Sequence, residues 1–382
     1  MKGGEPVRRF WFLTPEFSEL SDPIFRTQVL ALAEAVKAES PGLDVSVWGC
    51  WPGEAPSEAG IALRPLPRGG RQFLQEAKAT AAFLKHVPDE GRTLVYTRSY
   101  MPAFVLTALR RPGVTGVFNV RGLAADELRM KGGNGLKVAL VRAMEARAVR
   151  GSDVTVSIAD AMTAHLRKAY GLAGAEVIRP TVDVDRFAAG AAERERLRAE
   201  WGWGDDDFAF LYVGGRSAWQ MEDRLAGMMR TVLDRHPQAR FLRIVRDGGG
   251  FADERECDRV RTLRNVPQDR IAAYAAAGDF GLVLREADAV NQVASPIKAI
   301  EYLAAGLPVI TTRGVGDLSD LVLRHDAGVV LERAEELGAA DWAPRLDRAA
   351  WRAASERARR LAVGEFSLAE AARRWAALAA RL

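Results

Sequence analysis

Asn291-Gln-Val-Ala-Ser295-Pro-Ile-Lys298-Ala-Ile-Glu301-Tyr-Leu-Ala-Ala-Gly306-Leu-Pro308-Val-Ile-Thr-Thr312 reads as loop, helix, stop signal and buried strand. Ser295 is a favoured N-cap, and Pro296 fits the first helical position. Gly306 and Pro308 end the helix, and Val309–Thr312 resumes as a strand. Ile297, Ile300 and Ala304 make an apolar stripe, while Ser295, Lys298 and Glu301 recur every three residues on another face. A helix amino end carries roughly half a positive charge and unbonded N–H groups, so it attracts phosphate. The N–H groups after Ser295, with Pro296 and Ile297 at the turn, form such an end, and Lys298 adds a full positive charge. Glu301 lies about 4.5 Å further along the axis at 1.5 Å per residue, within reach of sugar hydroxyls beyond a diphosphate. The pattern points to a nucleotide-sugar pocket. An ordinary crossover helix with a solvated Lys and Glu is the alternative reading.

Working outward, both halves of the 382 residues alternate strand and helix. In the first half, apolar runs at 7–14, 43–49, 93–97, 114–120, 153–157 and 176–178 predict strands. Helical patterns fall at 21–38, 72–86, 101–110, 135–150 and 159–170. In the second half, strands are expected at 208–213, 240–245, 279–284, 309–312 and 328–331. Solidly apolar strands separated by helices mean parallel sheets covered on both faces. The expected fold is α/β, two doubly wound Rossmann-like domains facing across a cleft. The boundaries read as 1–180, a linker at 181–191, a second domain at 192–363, and an amphipathic helix at 364–382 that packs back on the first.

The bulk numbers limit the function classes. A hydrophobic fraction of 48% and a charged fraction of 27% are those of a soluble globular protein. No apolar run reaches the ~20 residues that span a bilayer, and the first residues are too short in apolar character for a signal peptide. The two cysteines, Cys50 and Cys257, have no metal-ligand spacing, so reduced thiols in the cytoplasm are expected. Net charge is +4, but residues 1–180 hold 24 Lys and Arg against 18 Asp and Glu. That mildly basic half is compatible with an anionic acceptor or peripheral contact with the inner membrane face. No zinc-finger, RNP or helix-turn-helix signature suggests nucleic acid.

Further candidates sit at strand ends. Gly214-Gly215 after the strand at 208–213 can bring backbone N–H groups to a phosphate, with Arg216 next and Arg285 at the end of the neighbouring strand. Ordinary turn and surface roles compete for each, and Arg285 has Glu286 and Asp288 as salt-bridge alternatives. Arg121 and Glu127 follow the strand at 114–120, where acceptor or sugar binding competes with a structural role. Asp205-Asp206-Asp207 precedes a strand instead of following one, so it reads as a solvated turn, and no metal site is expected. The helix at 135–150 carries Lys137, Arg142, Arg147 and Arg150 beside Leu136, Val138 and Leu140. Domain packing with a solvated basic edge competes there with contact to an anionic membrane.

Together these motifs resemble a GT-B glycosyltransferase, most similar to family 4 of the retaining enzymes. The most specific block is Ser295-Pro-x-Lys298-x-x-Glu301-Tyr-Leu-Ala-x-Gly306-Leu-Pro-Val-Ile, followed by Gly314-Val-Gly-Asp317 and Gly328-Val-Val-Leu331. Phe210–Trp219, Val177–Phe187 and Asn119–Glu127 resemble the family's donor-domain strand and Gly turn, its domain-closing segment and an acceptor-domain Arg-Gly loop. The resemblance implies transfer from a nucleoside-diphosphate sugar to a carbohydrate, lipid-linked or small-molecule hydroxyl, with retention of configuration and no cofactor or metal. It implies that Glu301 holds the nucleotide ribose and that Arg216 binds the diphosphate; Lys298 is the candidate for the Lys that the family places a few residues after Arg216, and Arg121 the candidate on the acceptor side. It also assigns base recognition to the segment 264–267. Three departures stand out: Val293 occupies the first Glu of the E-x7-E motif, Trp219, Gln220 and Met221 stand where a partner Lys to Arg216 is expected, and Asn119 stands where the family places a His. They keep two rivals open, a nucleotide-sugar epimerase and a non-catalytic partner subunit of the same fold.

Overall fold

In the computed structural model, which describes residues 6–52, 60–214, 221–246 and 258–382, the apolar runs become two parallel sheets. The first has seven strands: β1 (Val7–Leu13), β2 (Asp44–Gly49), β3 (Ala62–Pro65), β4 (Arg92–Thr97), β5 (Val114–Val120), β6 (Val154–Ser157) and β7 (Glu176–Val177). Their spatial order is β3-β2-β1-β4-β5-β6-β7. Among them run α1 (Ala31–Glu39), α2 (Gln72–Phe83), α3 (Tyr100–Ala108), α4 (Ala124–Met130), α5 (Gly135–Gly151) and α6 (Asp160–Tyr170).

The second sheet has six strands, β8 (Phe208–Gly214), β9 (Ala239–Val245), β10 (Val260–Arg264), β11 (Phe280–Val283), β12 (Val309–Thr312) and β13 (Gly328–Leu331), in the order β10-β9-β8-β11-β12-β13. With it go α7 (Val184–Ala189), α8 (Ala191–Glu200), α9 (Glu222–Arg235), α10 (Ile271–Ala276), α11 (Ile297–Ala304), α12 (Leu318–Arg324) and α13 (Arg348–Phe366). One more helix, α14 (Leu368–Arg381), follows.

Strand side chains explain why both faces are covered. Successive residues of a strand point to opposite faces. On β8, Ala209 and Leu211 join one apolar cluster while Phe208, Phe210 and Tyr212 join another. On β1, Phe10 and Phe12 go one way and Trp11 and Leu13 the other. An alternating amphipathic strand would leave one face to water; these runs do not.

The chain divides into Met1–Thr181 with Leu368–Leu382, and Val182–Ser367. Helix α14 lays Ala371, Ala372, Trp375, Leu378 and Ala379 into the core of the first unit, where Trp375 meets the rings of Phe10 and Tyr96. Of the stretch 181–191, read from sequence as a linker, Thr181 falls in the first unit and residues 182–191 in the second. Asp183 caps α7 by accepting from the Arg186 N–H, and Phe187 is buried against the core that holds Ile271 and Ala275. In the same unit Asp279, fully buried, takes Arg194 and Arg348 at 2.6 Å and Arg198 at 3.0 Å.

Candidate functional site

Parallel sheets present ligands with the carboxyl ends of their strands, and in the second unit α11 comes to the carboxyl end of β8. The Lys298 ammonium donates to the Val213 carbonyl at 3.0 Å and lies 4.6 Å from the centre of the Tyr212 ring. One turn later, the Tyr302 hydroxyl accepts from the Val213 N–H at 2.7 Å. Residues 298 and 302 are i and i+4 neighbours on one helix face, so together they grip both backbone groups of Val213. Gly214 follows directly. Gly215 and Arg216, the other two residues of the phosphate-turn reading, lie outside the described residues.

The start of α11 differs from the sequence expectation. Pro296, with φ −67° and ψ 117°, is the N-cap, and Ile297 is the first helical residue. Ser295 stands one place further out and supplies no side-chain cap. The extended ψ at Pro296 keeps it out of the helix while its carbonyl accepts from Ala299 at 3.0 Å and Ile300 at 3.4 Å. With no side-chain cap at its start, the amino end of α11 leaves Ser295, Pro296 and Ile297 as a backbone-lined turn.

Glu301 is half-buried and accepts from the Gln268 amide at 3.3 Å. Burial pushes its carboxyl up to about 7, against the opposing pull of Arg186, Gln268 and Lys298. Arg186 reaches from α7 to the Gln268 carbonyl, so the residues around Glu301 are themselves tied together. Arg285 is buried at the end of β11, where the Thr312 hydroxyl accepts from its N–H at 3.0 Å and donates to its carbonyl at 2.7 Å. Desolvation brings its guanidinium down to about 10, with Tyr212, Asp288 and Tyr302 opposing. Of its two sequence alternatives, Glu286 pairs with Arg224 and the Asp288 carboxylate accepts from Asn291.

The loop before α11 is pegged by Asn291, 1% exposed, whose amide donates to the Glu286 carbonyl and to Asp288. The Gly316 N–H donates back to the Asn291 carbonyl at 3.0 Å. Gly316 has φ 47°, and a Cβ there would stand 1.9 Å from the Ala294 carbonyl oxygen, so only glycine lets the two loops touch. Val293 is 3% exposed: where the resembled motif has a carboxylate, this chain packs an apolar side chain.

In the first unit the ends of β1, β4 and β5 gather a second polar cluster. Arg121 donates to Gln28 at 3.0 Å, and burial together with Arg98 lowers its guanidinium to about 10. Asn119 donates to the Tyr96 hydroxyl at 2.9 Å. Glu16 sits 3.5 Å from the Arg98 guanidinium, yet neither of its carboxylate oxygens has a hydrogen-bond partner among the described residues. Burial raises its carboxyl to about 8, against Arg98 and reinforced by Glu76. Glu127 is likewise raised by burial. The Asp205–Asp207 turn is structural, since Asp207 accepts from the Gly204 N–H at 2.7 Å and pairs with Arg240. No group of three or more His, Cys, Asp and Glu suited to a metal occurs among the described residues.

Residues 25–181 match the model of the glycosyl transferase 4-like domain, and residues 238–358 match that of the glucosyltransferase 3-like C-terminal domain. The fold is shared with the sucrose-phosphate synthase of Thermosynechococcus elongatus, at TM-score 0.75 and 18% identity over 97% of this chain and 98% of that one. The two domain models and the shared fold support a family 4-like glycosyltransferase of the GT-B type. Two further structural relatives were solved with sugar nucleotides. Anabaena HepE, in complex with UDP-glucose, has TM-score 0.67 and 15% identity over 98% of this chain and all of that one. An E. coli trehalose-6-phosphate protein bound with UDP-2-fluoro glucose has TM-score 0.69 and 12% identity over 98% and 99%. In sequence the glycosyltransferase is 26% identical over 212 residues to a D-inositol 3-phosphate glycosyltransferase of Corynebacterium jeikeium. That alignment takes in 52% of this chain and 47% of the relative, so it spans about half of either.

Several residues that shape the two clusters carry no site signal in the sequence: Gln268, Arg186, Asn291, Glu16 and Arg98, with Tyr302 visible only inside its motif. Only the Tyr302 spacing from Lys298 carried a signal, as an i, i+4 pair.

Proposed function

We propose that this chain transfers a sugar from a nucleoside-diphosphate sugar to an acceptor hydroxyl with retention of configuration, in glycan, glycolipid or glycosylated natural-product biosynthesis. The observation that carries the reading is the contact of the Lys298 ammonium with the last turn of backbone in β8, beside Gly214 and the uncapped start of α11. A diphosphate seated there meets a full positive charge and a helix amino end, the two things a departing anion needs. Arg285 at the end of the next strand adds a second cation, and Arg216 a third by its position in the sequence. Glu301, three residues past Lys298, is the acceptor for ribose hydroxyls. The UDP-sugars held by two structural relatives support a uridine donor. Asn291 and Gly316 keep the intervening loops in register around this end of the sheet.

In the step itself, the bond from the anomeric carbon to the diphosphate oxygen breaks. The acceptor oxygen bonds to the same face of that carbon, and its proton passes to the departing oxygen. No protein base is required in that scheme, which suits a chain with Asn119 in place of a His. The acceptor is taken by the first unit, with Arg121 and Glu127, both following β5, among its contacts.

Calorimetric titration of UDP-, GDP-, ADP- and dTDP-sugars tests the donor site. One of them should bind the native chain, and Lys298→Ala should weaken the diphosphate forms much more than the free nucleoside. Equal binding by Lys298→Ala, or no binding by any donor, overturns the reading. The anomeric proton coupling of the product then reports retention directly.

A further inference from the structure

The first unit contains a cavity of about 790 Å³ that the donor site does not use. Its inner surface is polar: Glu76, 5% exposed, accepts from the Ser99 hydroxyl at 2.6 Å, and Glu127 lines the same space. Its outer lining is of another kind. Phe73 and Leu74 at the start of α2 are 40% and 49% exposed, and Leu140 on α5 is 56% exposed. Beyond them Leu136 stands 84% exposed and Met130 37%. A single exposed leucine means little. Here five of the nine large apolar side chains exposed among the described residues fall at the start of α2 or along α4 and α5, beside one cavity, which marks an interaction surface.

Cations exceed carboxylates around the cavity, although Glu76 and Glu127 line it and Arg129 and Arg142 are paired with Asp126. Segments 66–75 and 128–144 contain Arg68, Arg71, Arg129, Lys131, Lys137 and Arg142, and no Asp or Glu. Arg71, Lys131 and Lys137 line the cavity itself. Apolar side chains interleaved with cations match the boundary of an anionic bilayer, where acyl chains and phosphates lie a few ångströms apart. The carboxylates deeper in are placed to accept hydroxyls. A soluble sugar would fill such a cavity without needing the exposed leucines.

We propose that this cavity receives the hydroxylated headgroup of an anionic lipid presented by a bilayer, with Phe73, Leu74, Leu136 and Leu140 resting in the interface and Lys131 and Lys137 on the lipid phosphates. The proposal rests on the glycosyl-transfer reading in that it makes the lipid the acceptor, but its test needs no donor and no turnover.

The full chain is sedimented with vesicles of phosphatidylcholine alone and of phosphatidylcholine with phosphatidylglycerol. It should bind the second and not the first. Leu136→Ser with Leu140→Ser should lower binding by about tenfold, since two partly inserted apolar side chains are lost. Lys131→Glu with Lys137→Glu should lower it by more than tenfold. These side chains are at the surface, and thermal unfolding of each variant verifies that the fold survives. Hydrogen exchange with the phosphatidylglycerol vesicles should slow within 71–76 and 124–141. Absence of binding by the native chain overturns the proposal, as does binding that the leucine pair leaves unchanged or protection that falls elsewhere. Because donor titration is a separate measurement, losing the lipid site leaves the donor reading standing, and the reverse.

Discussion

At the scale of single residues, Lys298 and Glu301 do different things, and their substitutions separate. Lys298→Ala removes the cation opposite a leaving diphosphate and should cut turnover by roughly 10²-fold or more, on the scale of losing one charge-stabilising donor. Turnover near that of the native chain would remove Lys298 from the step. Glu301 carries a pH signature instead. Its carboxyl is raised by burial to about 7 in the folded chain, above the ordinary value of ~4.3 for an unfolded Glu. The folded state therefore holds more protons than the unfolded state between those two values. Its contribution to stability is full below the lower value and is lost as pH rises through about 7. Ribose hydroxyls favour the ionised carboxylate, so nucleotide affinity should move the other way and strengthen as pH rises through the same window. Calorimetry across that window should show the rise in the native chain and a flat profile in Glu301→Gln. A rise that persists in the variant assigns the titration to another group.

At the scale of elements, the position of α11 depends on a glycine in the strand beneath it. A Cβ on Gly281 would stand 2.2 Å from the Tyr302 ring, well inside contact, so β11 and α11 approach only because residue 281 has no side chain. Gly281→Ala should push Tyr302 away from the Val213 N–H, cost about 1–3 kcal/mol by overpacking, and weaken donor binding through the strand end that Lys298 also holds. A thermal melt and a donor titration check both halves; an unchanged donor affinity would separate the clamp from the site. A buried charge makes the companion case. Asp279→Ala would leave Arg194, Arg198 and Arg348 without their shared carboxylate, and should destabilise the second unit by about 3–5 kcal/mol in denaturant titration. The same elements show what was legible beforehand. β5, β12 and β13 have the expected bounds, because each is a run rich in β-branched and apolar residues between turn signals. β3 and β10 were not read: they are short edge strands with Arg64, Arg261 and Arg264 in them, and an edge needs only one partner. The start of α11 was misplaced by one residue because Ser-Pro satisfies both an N-cap and an N-terminal proline, and only backbone angles decide between them. The polar cluster around Glu16 and Arg121 was illegible for a different reason. β1 is the neighbour of β4 in space but not in sequence, so the residues after β1 meet those after β4 and β5 only once the strand order is known.

At the scale of the whole molecule, the chain builds its first unit from both ends, with the second unit inserted between them. The last helix is therefore part of the first unit's core, not an appendage. Trp375 is 1% exposed and touches the rings of Phe10 and Tyr96, which lie on the two central strands β1 and β4. Phe10 and Tyr96 belong to the same sheet whose strand ends carry Glu16, Arg98 and Arg121. Removing the indole should cost about 3–5 kcal/mol, enough to open much of a domain whose total stability is of order 5–15 kcal/mol. The loss should be confined. In Trp375→Ala, hydrogen exchange should accelerate across residues 6–181 and 368–382, while the donor-dependent protection of residues 283–304 persists. Exchange that accelerates equally in residues 182–367 would mean the two units fold as one cooperative body. The donor site would then owe its order to a helix of the other unit.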